Sequence, residues 1–214
     1  MATPAPFRIY NTLSRSVEDF VPQTPGKVGL YVCGMTVYDR AHVGHARAFV
    51  VFDGFVRYLR HRGWDVTFVR NFTDIDDKII RRGNELGEDP AALAQRYIDA
   101  FLEDVEALGL THPDHQPRVS ESIQAIQDFI AALVEKGNAY ESEGSVWFAV
   151  KTFPQYGQLS GQKVDELRSP DEVPGKRHPA DFALWKATRP GEPAWESPWG
   201  PGRPGWHIEC SAMS

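Results

Sequence analysis

Cysteine is nearly absent: Cys33 and Cys210 are the only two in a chain of 214 residues, 177 positions apart. Two thiols so placed exclude the disulfide framework of small secreted domains. Long apolar runs are missing as well. No segment approaches the roughly 18 uncharged apolar residues of a membrane helix, so no membrane association is expected. The first thirty residues lack the basic start and apolar stretch of a signal peptide, and a cytoplasmic location is the expectation. Basic residues are in deficit, 23 Lys and Arg against 29 Asp and Glu, for a net charge of −6. That balance excludes a general nucleic-acid coat while leaving room for a local basic groove. No internal repeat or low-complexity tract is present. What remains is globular in texture, with 42% hydrophobic residues, enough at this length to bury a real core.

The first half alternates short β-prone runs with amphipathic helices. Val28 to Cys33 reads as a strand ending at Gly34. Residues 42–63 read as a helix, with Phe49, Phe52, Phe55, Val56 and Leu59 near helical spacing and Gly63 as its stop. Val66 to Arg70 is a second strand, and a further helix starts at Asp89-Pro90 and runs to Gly109. This order predicts an α/β protein with a parallel sheet and crossover helices. Ser120 is read as the cap of a helix carrying Ile123, Ile126, Ile130 and Leu133, followed by a hairpin over 139–150. From Phe153 to Pro204 the chain is rich in Pro, Gly and Trp with little periodicity. Such a stretch is long for a compact domain and reads as an insertion.

The sharpest local signal is His42-Val43-Gly44-His45, directly after a strand and opening a helix. Unpaired N–H groups at a helix start favour phosphate, Gly44 permits close approach, and both imidazoles can donate. The plain alternative is two histidines occupying a first helical turn. Cys33 and Cys210 are open to two readings, a pair of buried inert thiols or ligands converging on a metal. Asp74, Asp76 and Asp77 read either as an acidic metal cluster or, for Asp76 and Asp77, as a helix N-terminal turn. Trp185, Trp195 and Trp199 read as packing. Arg57, Arg60, Arg62, Arg70, Arg81 and Arg82 read mainly as a solvated face, with a contribution to a nucleic-acid contact as the other possibility.

Tyr31 to Asp39 (YVCGMTVYD) with the following His42 to His45 resembles the opening of bacterial cysteinyl-tRNA synthetases. Asn71 to Ile80 (NFTDIDDKII), Asp181 to Lys186 (DFALWK) and Gly205 to Met213 (GWHIECSAM) resemble the same family, in the same order along essentially the whole chain. His42 to His45 is then the HIGH signature of class I aminoacyl-tRNA synthetases, with Val in place of Ile. The resemblance implies a Rossmann-like nucleotide-binding half over 1–120, a connective insertion over 121–200, and the start of the second catalytic half over 201–214.

The activity implied is ATP-dependent formation of cysteinyl-adenylate and transfer to tRNA(Cys). Its partners would be L-cysteine, ATP with Mg2+, and that tRNA. By resemblance His42 and His45 are catalytic and, with Gly44, bind ATP. Gly34, Thr36, Thr73 and Trp206 line the cysteine pocket, and Cys33 and Cys210 are thiolate ligands to Zn2+. A soft thiolate substrate would complete such a site where serine's hydroxyl cannot compete. His207, three residues before Cys210, is a further metal-ligand candidate on spacing alone. The family's other two zinc ligands, its KMSKS loop and its helical anticodon-binding domains have no counterpart up to Ser214. Reduced activity of the isolated chain is therefore expected. Two other readings stand beside this one. The first is a related ligase joining cysteine to an amino-sugar in mycothiol synthesis, which usually has Pro where this chain has Val37. The second is an inactive nucleotide-binding fragment acting as an interaction module.

Overall fold

The computed structural model describes residues 7–166 and 174–214, in two compact units. Of the ranges expected from the sequence, 1–6 and 167–173 lie outside the described residues. Among the described residues the first unit is built from 21–122 and 213–214, and the second from 7–20, 123–166 and 174–212. Near its start the second unit holds an antiparallel hairpin, β1 (Arg8–Asn11) and β2 (Ser16–Asp19), which the sequence pattern did not signal. Both strands are mostly exposed, so neither shows the alternating apolar face that marks a strand.

The first unit is α/β. Strand β3 (Lys27–Val32) pairs in parallel with β4 (Asp65–Arg70), and helix α1 (Val43–His61) connects them. Beyond β4 the chain forms α2 (Asp77–Leu86) and α3 (Pro90–Ala107), then returns beside β4 through parallel bridges at His115 and Arg118. Strand β4 therefore lies between β3 and the returning segment, as in one half of a doubly wound sheet. The Asp114 carboxylate secures that return, accepting from the Phe68 backbone N–H at 2.7 Å and from Arg60 Nη2 at 2.8 Å. Each helix start has a local cause. The Asp89 side chain accepts from the Ala92 N–H ahead of Pro90, and Asp76 caps α2 by accepting from Lys78 N–H. Asp76 and Asp77 thus form a helix N-terminus. Ser120 does not cap the next helix: its hydroxyl and N–H both donate to Asp74, within the first unit.

Phe49 of α1, Phe72, Ile79 of α2, and Leu93, Ile98, Phe101 and Val105 of α3 form the core, with Met35 and Val37 from the segment after β3. Arg70 overturns the expectation of a solvated arginine. It is 2% exposed, because alternation along β4 turns it inward with Val66 and Phe68. Its guanidinium lies 5.1 Å from the ring centres of both Phe49 and Phe101. Burial pulls its pKa down to about 10, so it stays a cation at neutral pH, held by aromatic faces.

In the second unit α4 (Ile123–Glu135) packs beside a four-stranded antiparallel sheet. The strands are β5 (Ala139–Ser142), β6 (Ser145–Phe148), β7 (Phe182–Ala187) and β8 (Gly202–Pro204), paired in that order. Strands β7 and β8 fall in the stretch that lacks periodicity. β7 is apolar on both faces, with Leu184 and Trp185 adjacent and buried, and β8 is three residues with two prolines' worth of turn signal around it. Trp185 is fully buried and sits 6.0 Å from the Trp199 ring, in keeping with a packing role. The chain closes in α5 (Trp206–Met213).

Candidate functional site

The His42–His45 turn is a capping box made from two imidazoles. His42 Nδ1 accepts from the Gly44 N–H at 3.1 Å, and His45 Nδ1 accepts from the His42 N–H at 3.3 Å. A Ser/Glu pair usually does this work. Here it has a chemical consequence. With each Nδ1 occupied as an acceptor, the ring proton of both histidines lies on Nε2. The rings stack with centres 4.0 Å apart. The helix start thus carries two Nε2–H donors together with the positive end of α1, an arrangement suited to an anion such as phosphate. Burial first, then the neighbouring His42, lower the His45 pKa below its usual value, which keeps that ring neutral. A Cβ at Gly44 would lie 2.9 Å from His42 Cε1, so any side chain there would displace the capping ring. His42 also borders an apolar cavity of about 320 Å³ between α1 and α3.

Gly34, Thr36 and Thr73 meet just past the carboxyl ends of β3 and β4. Val32 stands opposite Arg70 and Thr36 opposite Thr73, so four steps along one chain match three along the other. The extra residue is a bulge in the segment Cys33-Gly34-Met35. Pairing resumes beyond it, with Thr73 N–H donating to Met35 O at 3.3 Å and Val37 N–H to Thr73 O at 3.2 Å. The expected strand end at Gly34 is thereby corrected. Strand β3 stops at Val32, and Cys33, next along on the face opposite buried Val28 and Val32, is exposed. Gly34 tolerates no side chain, since its Cβ would overlap the Asn71 carbonyl oxygen.

Asn71, which sequence reasoning did not single out, holds this corner. It is 1% exposed, its Oδ1 accepts from the Gly34 N–H at 2.8 Å, and its Nδ2 donates to Thr73 Oγ1 at 3.4 Å. The available signal was a polar residue directly following a strand of inward-facing apolar positions.

Trp206 and Cys210 belong to the second unit, both on α5. Trp206 is 59% exposed at the first helical position, its ring 5.2 Å from His207, and Cys210 is half-buried one turn on. The His207 ring packs 4.7 Å from Phe182 of β7. Among the described residues no group of three or more His, Cys, Asp and Glu side chains is placed to hold a metal ion. Zinc sites take three or four protein ligands. The described residues therefore do not make a zinc site by themselves, and no chemical step below passes through one.

A family model described as the catalytic domain of class I (C) tRNA synthetases matches residues 19–214. The chain belongs to the class I (C) tRNA synthetase catalytic-domain family. The fold agrees with that of other class I synthetases. A solved Campylobacter jejuni structure assigned as an arginyl-tRNA synthetase superposes on 89% of this chain and 44% of its own, with a TM-score of 0.52 at 15% identity. Curated relatives of the synthetase chain include the cysteine–tRNA ligases of Desulfovibrio desulfuricans and Alkalilimnicola ehrlichii, each 60% identical over 96% of this chain. Cysteine–tRNA ligase 2, cytoplasmic, of Arabidopsis thaliana is 57% identical over 97% of it. The chain spans 44%, 46% and 41% of those three proteins, so it corresponds to somewhat under half of each. These names favour the tRNA ligase over the amino-sugar ligase. No helix among the described residues is long and apolar enough to cross a membrane.

Proposed function

We propose that this synthetase chain carries the first half of the active site of a cysteine–tRNA ligase. The observation behind the reading is 60% identity across 96% of the chain to proteins of that name. In the reaction, a carboxylate oxygen of L-cysteine attacks the α-phosphorus of ATP. The bond to the bridging oxygen breaks, and pyrophosphate leaves with cysteinyl-adenylate formed. The cysteinyl group then passes to the terminal ribose of tRNA(Cys). The attacking carboxylate is already charged, so no general base is needed to activate it. The enzyme's task is alignment and relief of charge on the transferring phosphate.

In this reading His42 and His45 donate from Nε2 to phosphate oxygens, Gly44 allows the close approach, and Mg2+ accompanies ATP. Gly34, Thr36, Thr73 and Trp206 line the cysteine pocket. We assign Cys33 and Cys210 as two thiolate ligands to Zn2+, which needs ligands beyond these two. Residues 1–120 form the nucleotide-binding half, 121–200 the connective insertion and 201–214 the start of the second half. The cytoplasm is the proposed location.

The test is cysteine-dependent exchange of radiolabelled pyrophosphate into ATP, with zinc supplied and serine as control. Weak exchange with cysteine and none with serine is the expected result. A folded sample that exchanges no label with cysteine, or equal label with serine, overturns the assignment for this chain.

A further inference from the structure

We propose that Asn71 is the positioning residue of the amino-acid subsite, a role that rests on Gly34 and Thr73 lining the cysteine pocket. Its side-chain amide bonds both of them. Oδ1 accepts from the Gly34 N–H at 2.8 Å, which fixes the bulged backbone next to Cys33. Nδ2 donates to Thr73 Oγ1 at 3.4 Å, which uses a lone pair of that hydroxyl and obliges the Thr73 proton to be donated elsewhere. The amide therefore selects both a backbone conformation and a hydroxyl orientation.

The surroundings leave it little alternative. Asn71 is 1% exposed, its own carbonyl is packed against Gly34, and the bulge ends within three residues in the Thr36–Thr73 pairing. A β-bulge beside a site commonly re-aims the local backbone, and at this one the Gly34 N–H meets the Asn71 side chain. Asparagine meets the demands of the corner because it presents one acceptor and one donor from a single short, planar group. Leucine shares its branched outline but offers neither, and aspartate keeps the acceptor and loses the donor.

The effect of Asn71 on function is thus expected on the amino acid and not on the nucleotide, since the His42–His45 turn is built from hydrogen bonds that do not involve it. The experiment is calorimetric titration of the 214-residue chain with cysteine and, separately, with ATP–Mg2+. Wild type is compared with Asn71→Asp and Asn71→Ala, with circular dichroism and Tm recorded on each. Asn71→Asp is expected to weaken cysteine about tenfold and Asn71→Ala more, on the scale of one and two lost hydrogen bonds, with ATP affinity changed less than about twofold. Unchanged cysteine affinity in both variants, a parallel loss of cysteine and ATP affinity, or failure of both variants to fold would each reduce Asn71 to a structural residue and overturn the proposal. Wild-type protein that binds ATP but no cysteine would instead overturn the functional reading itself, and the positioning role with it.

Discussion

At the scale of single residues, the paired imidazoles illustrate how one side chain can serve fold and chemistry together. His45 caps α1 only while its Nδ1 is unprotonated, since a proton there removes the acceptor for the His42 N–H. Its pKa is lowered by burial and by His42, so the folded protein holds it neutral more firmly than the unfolded chain does. The stability this group contributes is therefore complete above its unfolded value near 6.5 and is lost as pH falls below that through the folded value. In His45→Gln the amide oxygen can still accept at the third helical position, but it does not titrate. The variant is expected to flatten the fall of Tm as pH drops below about 6.5, relative to wild type. A thermal melt series across that range checks it, and parallel curves would show that the His45 cap does not govern acid stability. The motif was legible in the sequence as two histidines and a glycine at a helix start. The tautomer was not, because it depends on which ring nitrogen the folded backbone engages.

Among the elements, the hairpin β5–β6 is joined to β7 by more than its ladder. Tyr140 of β5 donates its hydroxyl to the buried Asp181 carboxylate at 2.7 Å and accepts from the Arg177 N–H at 2.7 Å. Asp181 also accepts from the N–H groups of Val150 at 3.0 Å and His178 at 3.1 Å. Burial, followed by Asp181, pushes the Tyr140 pKa up to about 12, so the phenol remains a donor at any physiological pH. The network fastens the approach to β7 onto the hairpin. Tyr140→Phe removes a hydrogen bond to a charged, buried partner and is expected to lower unfolding free energy by about 2 kcal/mol. A urea titration gives the value directly, and a change below about 0.5 kcal/mol would mean that Asp181 finds another donor. The hairpin itself was readable from the alternation of Val146 and Phe148. Strand β7 was not, because Leu184 and Trp185 are buried on successive positions and break the period of two.

The whole molecule consists of two units with different architectures, a parallel α/β core around Phe49, Phe72 and Phe101 and an antiparallel sheet around Leu184 and Trp185. Trp185→Ala opens a cavity in the second and is expected to cost about 3–5 kcal/mol there. Hydrogen exchange should show amides of β6 and β7 losing protection while those of β3 and β4 keep theirs. Equal loss in both would mean that the two units unfold as one. The sequence by itself determined the α/β character of the first unit, its helix starts at His42, Asp76 and Asp89, and its family, because caps, periodicity and collinear motifs are local properties of the chain. Tertiary structure decided the rest. Whether Arg70 faced solvent or core depended on which side of β4 met Phe49 and Phe101. Whether Thr36 met Thr73 depended on a one-residue mismatch between segments nearly forty positions apart, and that mismatch exists only once both strands are paired.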